Sequence, residues 1–237
     1  MLKTICLTSD IGNKWVQGFQ FQWRKYCKMD CTVYGFSKPE KYDEGFPFVS
    51  IGKFEDYPVG LYSNGLIKCL EMIEDDHVII SLEDYWMMRN VNTSGIQSAH
   101  YFMQNNPKVV RFDLTTDRLY TDPFRDIGSM DVFDIIESGK NNQYNLSLQA
   151  SMWDRKLLLS LLQPYESPWE VELEGTHRLN SSDLRVVGTR QWLMKYHIVV
   201  NKGRLDTKGQ WQYPPRSLKY EDWLDLEALY ESKFVSM

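Results

Sequence analysis

Short apolar runs alternate with longer amphipathic stretches along the first half of the chain. Residues 3–8 predict a buried strand closed by Ser9-Asp10. From Lys14 to Tyr26, the side chains of Trp15, Phe19 and Trp23 are spaced to share one helical face. Thr32-Val33-Tyr34-Gly35-Phe36 predicts a second strand, ended by Ser37-Lys38-Pro39, and Phe46 to Ile51 a third. Leu66, Ile67, Leu70 and Ile73 then recur at helical spacing, which predicts an amphipathic helix over 60–74. After Asp75-Asp76 comes the strongest strand signal of the chain, His77-Val78-Ile79-Ile80-Ser81-Leu82. A helix over about 93–105 and a strand over 108–112 follow. Strand and helix in alternation predict an α/β fold, a mainly parallel twisted sheet with helices on both faces.

The pattern loosens afterwards. Residues 113–143, richer in Asp, Gly and Asn, read as an irregular connection, and Tyr144 to Gln149 as a strand. Ser151-Met152-Trp153-Asp154 reads as a helix start, with Ser as N-cap. Ser167-Pro168-Trp169-Glu170 carries the fuller signature: Ser at the cap, Pro in the first turn and Glu three residues after the cap. Strands are predicted at 184–188 and 196–200, and a C-terminal helix from about Glu221 with Trp223, Leu226, Leu229 and Tyr230 on one side. No repeat, low-complexity tract or linker interrupts the chain, so a single domain over 1–237 is expected.

Composition narrows the class. At 43% hydrophobic the 237 residues can build a real core. No run approaches the ~20 apolar residues of a membrane-spanning helix, and Met1 to Leu7 lacks the features of a signal peptide. Cys6, Cys27, Cys31 and Cys69 are few, and neither a second cysteine pair nor a nearby histidine completes a metal site around Cys27 and Cys31. Free thiols in a reducing compartment follow, and with them a cytoplasmic location. His77, His100, His177 and His197 have no neighbours at metal-ligand spacing, and neither a Gly-x-Ser-x-Gly nor a P-loop is present, so hydrolase and kinase chemistries find no support. The net charge of −5 is unevenly spread: between Arg178 and Lys219 nine basic residues meet only two acids, Asp183 and Asp206. That asymmetry points to an anionic ligand at the C-terminal third, against the plainer reading of a solvated basic face.

In open α/β sheets ligands bind beyond the carboxyl ends of the strands. Glu83 and Asp84 stand directly after the strongest strand. Acids there suit a polyanionic nucleotide diphosphate if they hold Mg²⁺ or Mn²⁺, or if they bind sugar hydroxyls. A merely acidic loop is the other reading.

Three segments carry a resemblance: Ser63-Asn64-Gly65-Leu66-Ile67-Lys68-Cys69-Leu70, Leu82-Glu83-Asp84-Tyr85, and Ser147-Leu148-Gln149-Ala150-Ser151-Met152-Trp153 continuing to Ser167-Pro168-Trp169-Glu170-Val171-Glu172. In order and spacing, over about residues 2–175, the chain resembles small GT-A type glycosyltransferases of bacterial surface-polysaccharide clusters and phage genomes. The resemblance implies a GT-A-like, Rossmann-related domain, with about 1–112 binding a nucleotide-sugar and about 144–237 binding the acceptor. It implies donor contacts from Thr8, Ser9 and Asp10, from Ser63 and Asn64, and from Glu83 and Asp84, with Asp84 as metal ligand. Glu83-Asp84-Tyr85 departs from the usual Asp-any-Asp form, which leaves metal dependence open. Without a metal, Lys202 and Arg204 are the candidates to neutralise the diphosphate.

A transferase also needs a base for the acceptor hydroxyl. The resemblance gives this role to Glu170, although a capping box explains the same residue, with Glu172 and Asp84 as the other carboxylates available. Trp153 and Trp169 suit stacking on a sugar or base, or simply packing. Arg190, Trp192 and Glu172 complete the expected acceptor set. Two acceptors compete. Trp192, Tyr196, Trp211, Tyr213 and Tyr220 among the C-terminal cations suggest double-stranded DNA, with the hydroxymethyl group of a modified pyrimidine in phage DNA as acceptor. A saccharide of surface-polysaccharide biosynthesis is the alternative. A non-catalytic nucleotide or nucleic-acid binding module on the same fold is a third reading.

Overall fold

A computed structural model describes residues 2–116, 123–201 and 204–205 of the chain. The predicted alternation is present: β1 (Leu2–Leu7), α1 (Asn13–Tyr26), β2 (Thr32–Gly35), β3 (Phe48–Ser50), α2 (Tyr62–Glu71), β4 (His77–Leu82), β5 (Tyr85–Met87), α3 (Thr93–Gln104) and β6 (Val109–Asp113). Then come β7 (Phe124–Met130), β8 (Phe133–Ser138), β9 (Ser151–Asp154), α4 (Arg155–Leu161), α5 (Pro168–Asn180), β10 (Arg185–Thr189), β11 (Tyr196–Ile198), β12 (Val200–Asn201) and β13 (Arg204–Leu205).

Nine strands form one sheet in the order β3-β2-β1-β4-β9-β6-β10-β8-β7. Seven run in one direction, and β9 and β8 are reversed. The sheet is therefore mostly parallel, as the alternation predicts. Both faces are covered. On one, Phe19 and Trp23 of α1 and Ile96, Ala99 and Met103 of α3 join a continuous apolar cluster. On the other, Leu66 and Leu70 of α2, Leu158 and Leu161 of α4, and Val171 and Leu179 of α5 form a second. Burying each Leu, Ile, Val, Phe or Met side chain among them contributes about 1.5–3 kcal/mol. No helix among the described residues is long and apolar enough to cross a membrane.

Three expectations change. The stretch 113–143 contains the β7–β8 hairpin, whose register shifts between Asp126 and Gly128. That bulge breaks the period-2 pattern by which a strand is recognised. Residues 144–149 carry no strand. Ser151-Met152-Trp153-Asp154 is itself the strand, β9, and the helix begins later, with Asp154 as N-cap accepting from the Leu157 N–H at 2.9 Å. The capping box at Ser167 is present with both of its hydrogen bonds. The predicted helix from about Glu221 lies outside the described residues, as do Trp211, Tyr213 and Tyr220.

Candidate functional site

At the carboxyl ends of β1, β2 and β4 a cavity of about 290 Å³ opens against α2. Its wall is aromatic because the chain leaves β2 and β3 through Phe36, Phe54 and Tyr57 and enters α2 at Tyr62. Phe36 and Tyr57 stack at 5.4 Å, and Phe54 meets Phe36 edge-on at 5.5 Å. Thr8, Ser9 and Glu83 supply the polar rim. A flat heteroaromatic ring fits such a slot, with its sugar and charged groups turned toward the rim. None of these four aromatics was singled out from the sequence. Their signal was the density of rings between Tyr34 and Tyr62, which reads equally well as core.

Glu83 and Asp84 form the turn between β4 and β5. Glu83 is fixed through its backbone: its N–H donates to the Leu7 carbonyl at 3.2 Å, and its own carbonyl accepts from Trp86 Nε1 at 3.2 Å. The Trp86 ring lies so close to α1 that a Cβ on Gly18 would stand 1.9 Å from it. The Glu83 carboxylate rests against the β1–α1 loop, where a Cβ on Gly12 would stand 1.9 Å from Glu83 Oε1. Asp84 is held by its carbonyl, which accepts from the Val199 N–H at 2.9 Å. Burial and the adjacent Asp84 push the Glu83 carboxyl up to about 8, and burial pushes Asp84 up to about 6. This strand end concentrates negative charge in a place that disfavours it.

A third carboxylate approaches from α5. Glu172 Oε1 accepts from the Leu148 N–H at 2.7 Å. Burial, and then the charges of Glu83 and Glu172, raise the Tyr62 phenol above its usual range, so both acids lie near it. The Tyr62 hydroxyl is buried without a hydrogen-bond partner among the described residues. Tyr85 is raised by burial, Tyr196, Asp84 and Glu172, in that order. It stacks on Tyr196 at 4.5 Å and 14°. The Tyr196 hydroxyl bonds in turn to Gln149 Oε1. Three carboxylates and three phenols thus gather at this end of the cavity from the β4–β5 turn, β5, α2, α5 and β11.

Other predicted site residues are placed differently. The Asp10 carboxylate accepts from the Ser37 N–H at 2.9 Å and the Ser37 hydroxyl at 3.0 Å, tying the β1 loop to the β2 loop. The Ser63 hydroxyl accepts from the Glu166 N–H and Asn64 Oδ1 from the Tyr165 N–H, so both fasten α2 to the loop before α5. Neither lines the cavity among the described residues. Glu170 is committed to its cap: the Ser167 backbone N–H and then the Ser167 hydroxyl hold its carboxyl below the usual value. Trp153 is a correction. It is buried in the core under the Arg111 guanidinium, 5.4 Å from the ring centroid, because in β9 its side chain faces the α4–α5 layer. Trp169 is 66% exposed, beside the cavity-lining Pro168. Arg190 pairs with Asp126 of β7 at 2.7 Å, at the far edge of the sheet, and Trp192 lies under Lys195. The expected acceptor set is therefore dispersed. Lys202 lies outside the described residues, as does the side chain of Arg204.

The basic C-terminal stretch is also less free than its composition suggests. Arg178 pairs with Glu166 at 2.7 Å, Arg185 with Glu137 at 2.8 Å, and Arg190 with Asp126. These acids come from elsewhere in the chain and neutralise the cations locally.

Among the described residues no group of three His, Cys, Asp or Glu side chains could hold a metal ion. Glu83 and Asp84 nonetheless fit one kind of site. Mg²⁺ commonly takes one or two carboxylates and completes its shell with substrate phosphates and water. Two acids that are costly to ionise together suit a dication arriving with a diphosphate.

No protein-family model matches the sequence, and no curated protein does. Among solved structures the fold is similar to residues 1–349 of S. aureus TarS in complex with UDP, with a TM-score of 0.51 at 11% identity over 83% of this chain and 60% of that one. S. aureus TarS in its longer form gives 0.50 at 13% identity over 84% and 36%. A looser likeness, 0.47 at 8% identity, spans 98% of this chain and 100% of a UDP-glucose pyrophosphorylase complexed with UDP-glucose. This chain thus spans about 60% of the length of TarS 1–349. Identities this low show a shared fold, an α/β sheet of the kind predicted, and no more.

Proposed function

We propose that the chain is a glycosyltransferase that uses a nucleotide-sugar, with the nucleobase in the aromatic cavity and the diphosphate over Glu83 and Asp84. The carrying observation is the cavity itself: an aromatic slot at the carboxyl ends of parallel strands, with Glu83 in its wall and Asp84 next to it in the chain. UDP bound to the similar TarS fold supports the reading. Thr8 and Ser9 face the nucleoside from the β1 end, and a divalent cation held by Glu83 and Asp84 would neutralise the diphosphate and its leaving charge.

Glu172 is our choice of base. It sits near Tyr62 and Tyr85, anchored through one oxygen by the Leu148 N–H, whereas Glu170 is held in its cap. In the reaction the acceptor oxygen bonds to the anomeric carbon, its proton passes to Glu172, and the bond from that carbon to the diphosphate breaks to release the nucleoside diphosphate. For the acceptor we favour a saccharide hydroxyl over modified DNA, since Arg178, Arg185 and Arg190 are spent on ion pairs. DNA would have to be bound through cations outside the described residues.

The test incubates the protein and its Glu172→Gln and Glu83→Ala/Asp84→Ala variants with a panel of nucleotide-sugars and saccharide acceptors. Release of nucleoside diphosphate with a glycosylated product is expected, with Glu172→Gln slowing turnover by about 10²–10⁴. Pyrophosphate release from a nucleoside triphosphate and a sugar phosphate would instead mean nucleotidyl transfer. Transfer to hydroxymethylpyrimidine DNA alone would restore the DNA acceptor, and nucleotide binding without turnover would make the chain a binding module.

A further inference from the structure

On the sheet face opposite the donor cavity, α3 borders a groove of about 600 Å³ closed at one end by the β7–β8 turn. Its lining includes Ser94, Gln97, Ser98 and Tyr101 of α3, with Ser129 of β7 and Asp131 of the turn. The volume lies within the ~300–1,000 Å³ range of ligand clefts. Met130 and Phe102 give it an apolar floor.

The chemistry of this surface is unusual for the chain. A quarter of all residues are charged, yet Asn90 to Pro107 contains no Asp, Glu, Lys or Arg. A solvated helix face normally carries charge. Here the outward face offers hydroxyls and amides, and from it projects Tyr101, 69% exposed. Asp131, held in the left-handed region at φ 53°, adds one carboxylate with no ion-pair partner among the described residues.

We infer that this groove is a binding site for a neutral oligosaccharide, separate from the transfer site. The exposed Tyr101 ring is a platform for the C–H face of a pyranose. Gln97 and Ser98 donate to and accept from sugar hydroxyls, and Ser94, whose hydroxyl donates to Asn92 Oδ1, accepts from them, all without the desolvation cost of a charge. Asp131 accepts from a pair of neighbouring hydroxyls, the strongest hydrogen bond the groove offers. No cation lines the groove among the described residues, which disfavours nucleic acid, whose affinity rests on phosphate neutralisation. Because the groove lies across the sheet from the cavity, it would hold a glycan chain at a distance from its reacting end.

The experiment is saturation-transfer NMR and titration calorimetry with maltotetraose, cellotetraose, chitotetraose and mannotetraose, with UDP binding followed in the same samples. At least one tetrasaccharide is expected to bind with a Kd of about 1 mM or tighter. Tyr101→Ala should weaken it about tenfold or more and Asp131→Asn less, as expected for loss of a ring anchor against one hydrogen bond. UDP affinity should stay unchanged in both variants, which separates failure of this site from failure of the donor cavity. The inference is overturned if no tetrasaccharide binds, if Tyr101→Ala leaves their affinity intact, or if the face proves to be a protein interface, seen as self-association that Tyr101→Ala abolishes.

Discussion

Glu83→Gln keeps the shape of the side chain and removes a charge that the fold holds at a cost. The carboxyl rises from an ordinary value of 4.5 to about 8, through burial and then through Asp84. A raised carboxyl means the folded state binds more protons than the unfolded chain between those two values, so stability is full below about 4.5 and falls as pH rises toward 8. At 1.36 kcal/mol per unit the full shift corresponds to an upper bound of about 5 kcal/mol. Glu83 is only half-buried and titrates together with the adjacent Asp84, so we take about 1–2 kcal/mol as the working figure. For a chain of this size that is about 2–8 °C in Tm. Thermal unfolding of wild type and Glu83→Gln at pH 4.5 and pH 8, without metal or nucleotide, should show the variant more stable at pH 8 and equal at pH 4.5. A variant that is less stable at pH 8, or shifted equally at both, would refute the picture of a strained acid pair. Saturating Mg²⁺ and UDP should narrow the difference at pH 8, since a bound cation stabilises the charged form that only wild type has.

Three further substitutions probe other parts of the structure. Gly12→Ala places a methyl where Glu83 Oε1 now lies while leaving a helical backbone position (φ −81°) unstrained; turnover should fall at least about tenfold with Tm nearly unchanged, and full activity would show that the Glu83 side-chain position is immaterial. Glu170→Gln should leave kcat within about threefold, and Ser167→Ala should cost about 1 kcal/mol in denaturant unfolding; a kcat loss of a hundredfold in Glu170→Gln would return the base to that residue. Arg111→Met strips the buried Asp113 of its ion pair and Ser151 and Asn145 of a hydrogen bond, and should cost about 3–5 kcal/mol. Adding Asp113→Asn should recover part of that loss, and an additive double variant would show that the pair does not interact.

What could be read in the sequence follows from how local each signal is. The run His77–Leu82 is buried on both faces between β1 and β9, so unbroken hydrophobicity announced it, and the acids after it fell at the rim by rule of topology. The Ser167 cap needs only four residues and was equally legible. Ser151 misled because a serine before an acid mimics a cap, whereas its hydroxyl accepts from Arg111 Nε, forty residues away in sequence. The case for proposing Glu172 as base rests on Leu148, twenty-four residues earlier, whose N–H holds its carboxylate, and no local pattern shows that contact. The aromatic slot draws on segments between Phe36 and Tyr62 that share no periodicity, so nothing in their spacing marked them as a wall.

The reversal of β9 has a consequence for how such a protein can diversify. A strand inserted backwards among parallel neighbours presents its entry, not its exit, to the rim where ligands bind. The chain before Ser151 is thereby delivered to the rim, and with it Leu148, which steers Glu172, and Gln149, which meets Tyr196. Lengthening or rewriting the turn ahead of that strand would remodel the side of the site proposed to receive the acceptor, while the strand ends proposed to grip the nucleotide stayed as they are. One backward strand separates the side of the rim that is free to vary from the side that the parallel strand ends hold fixed.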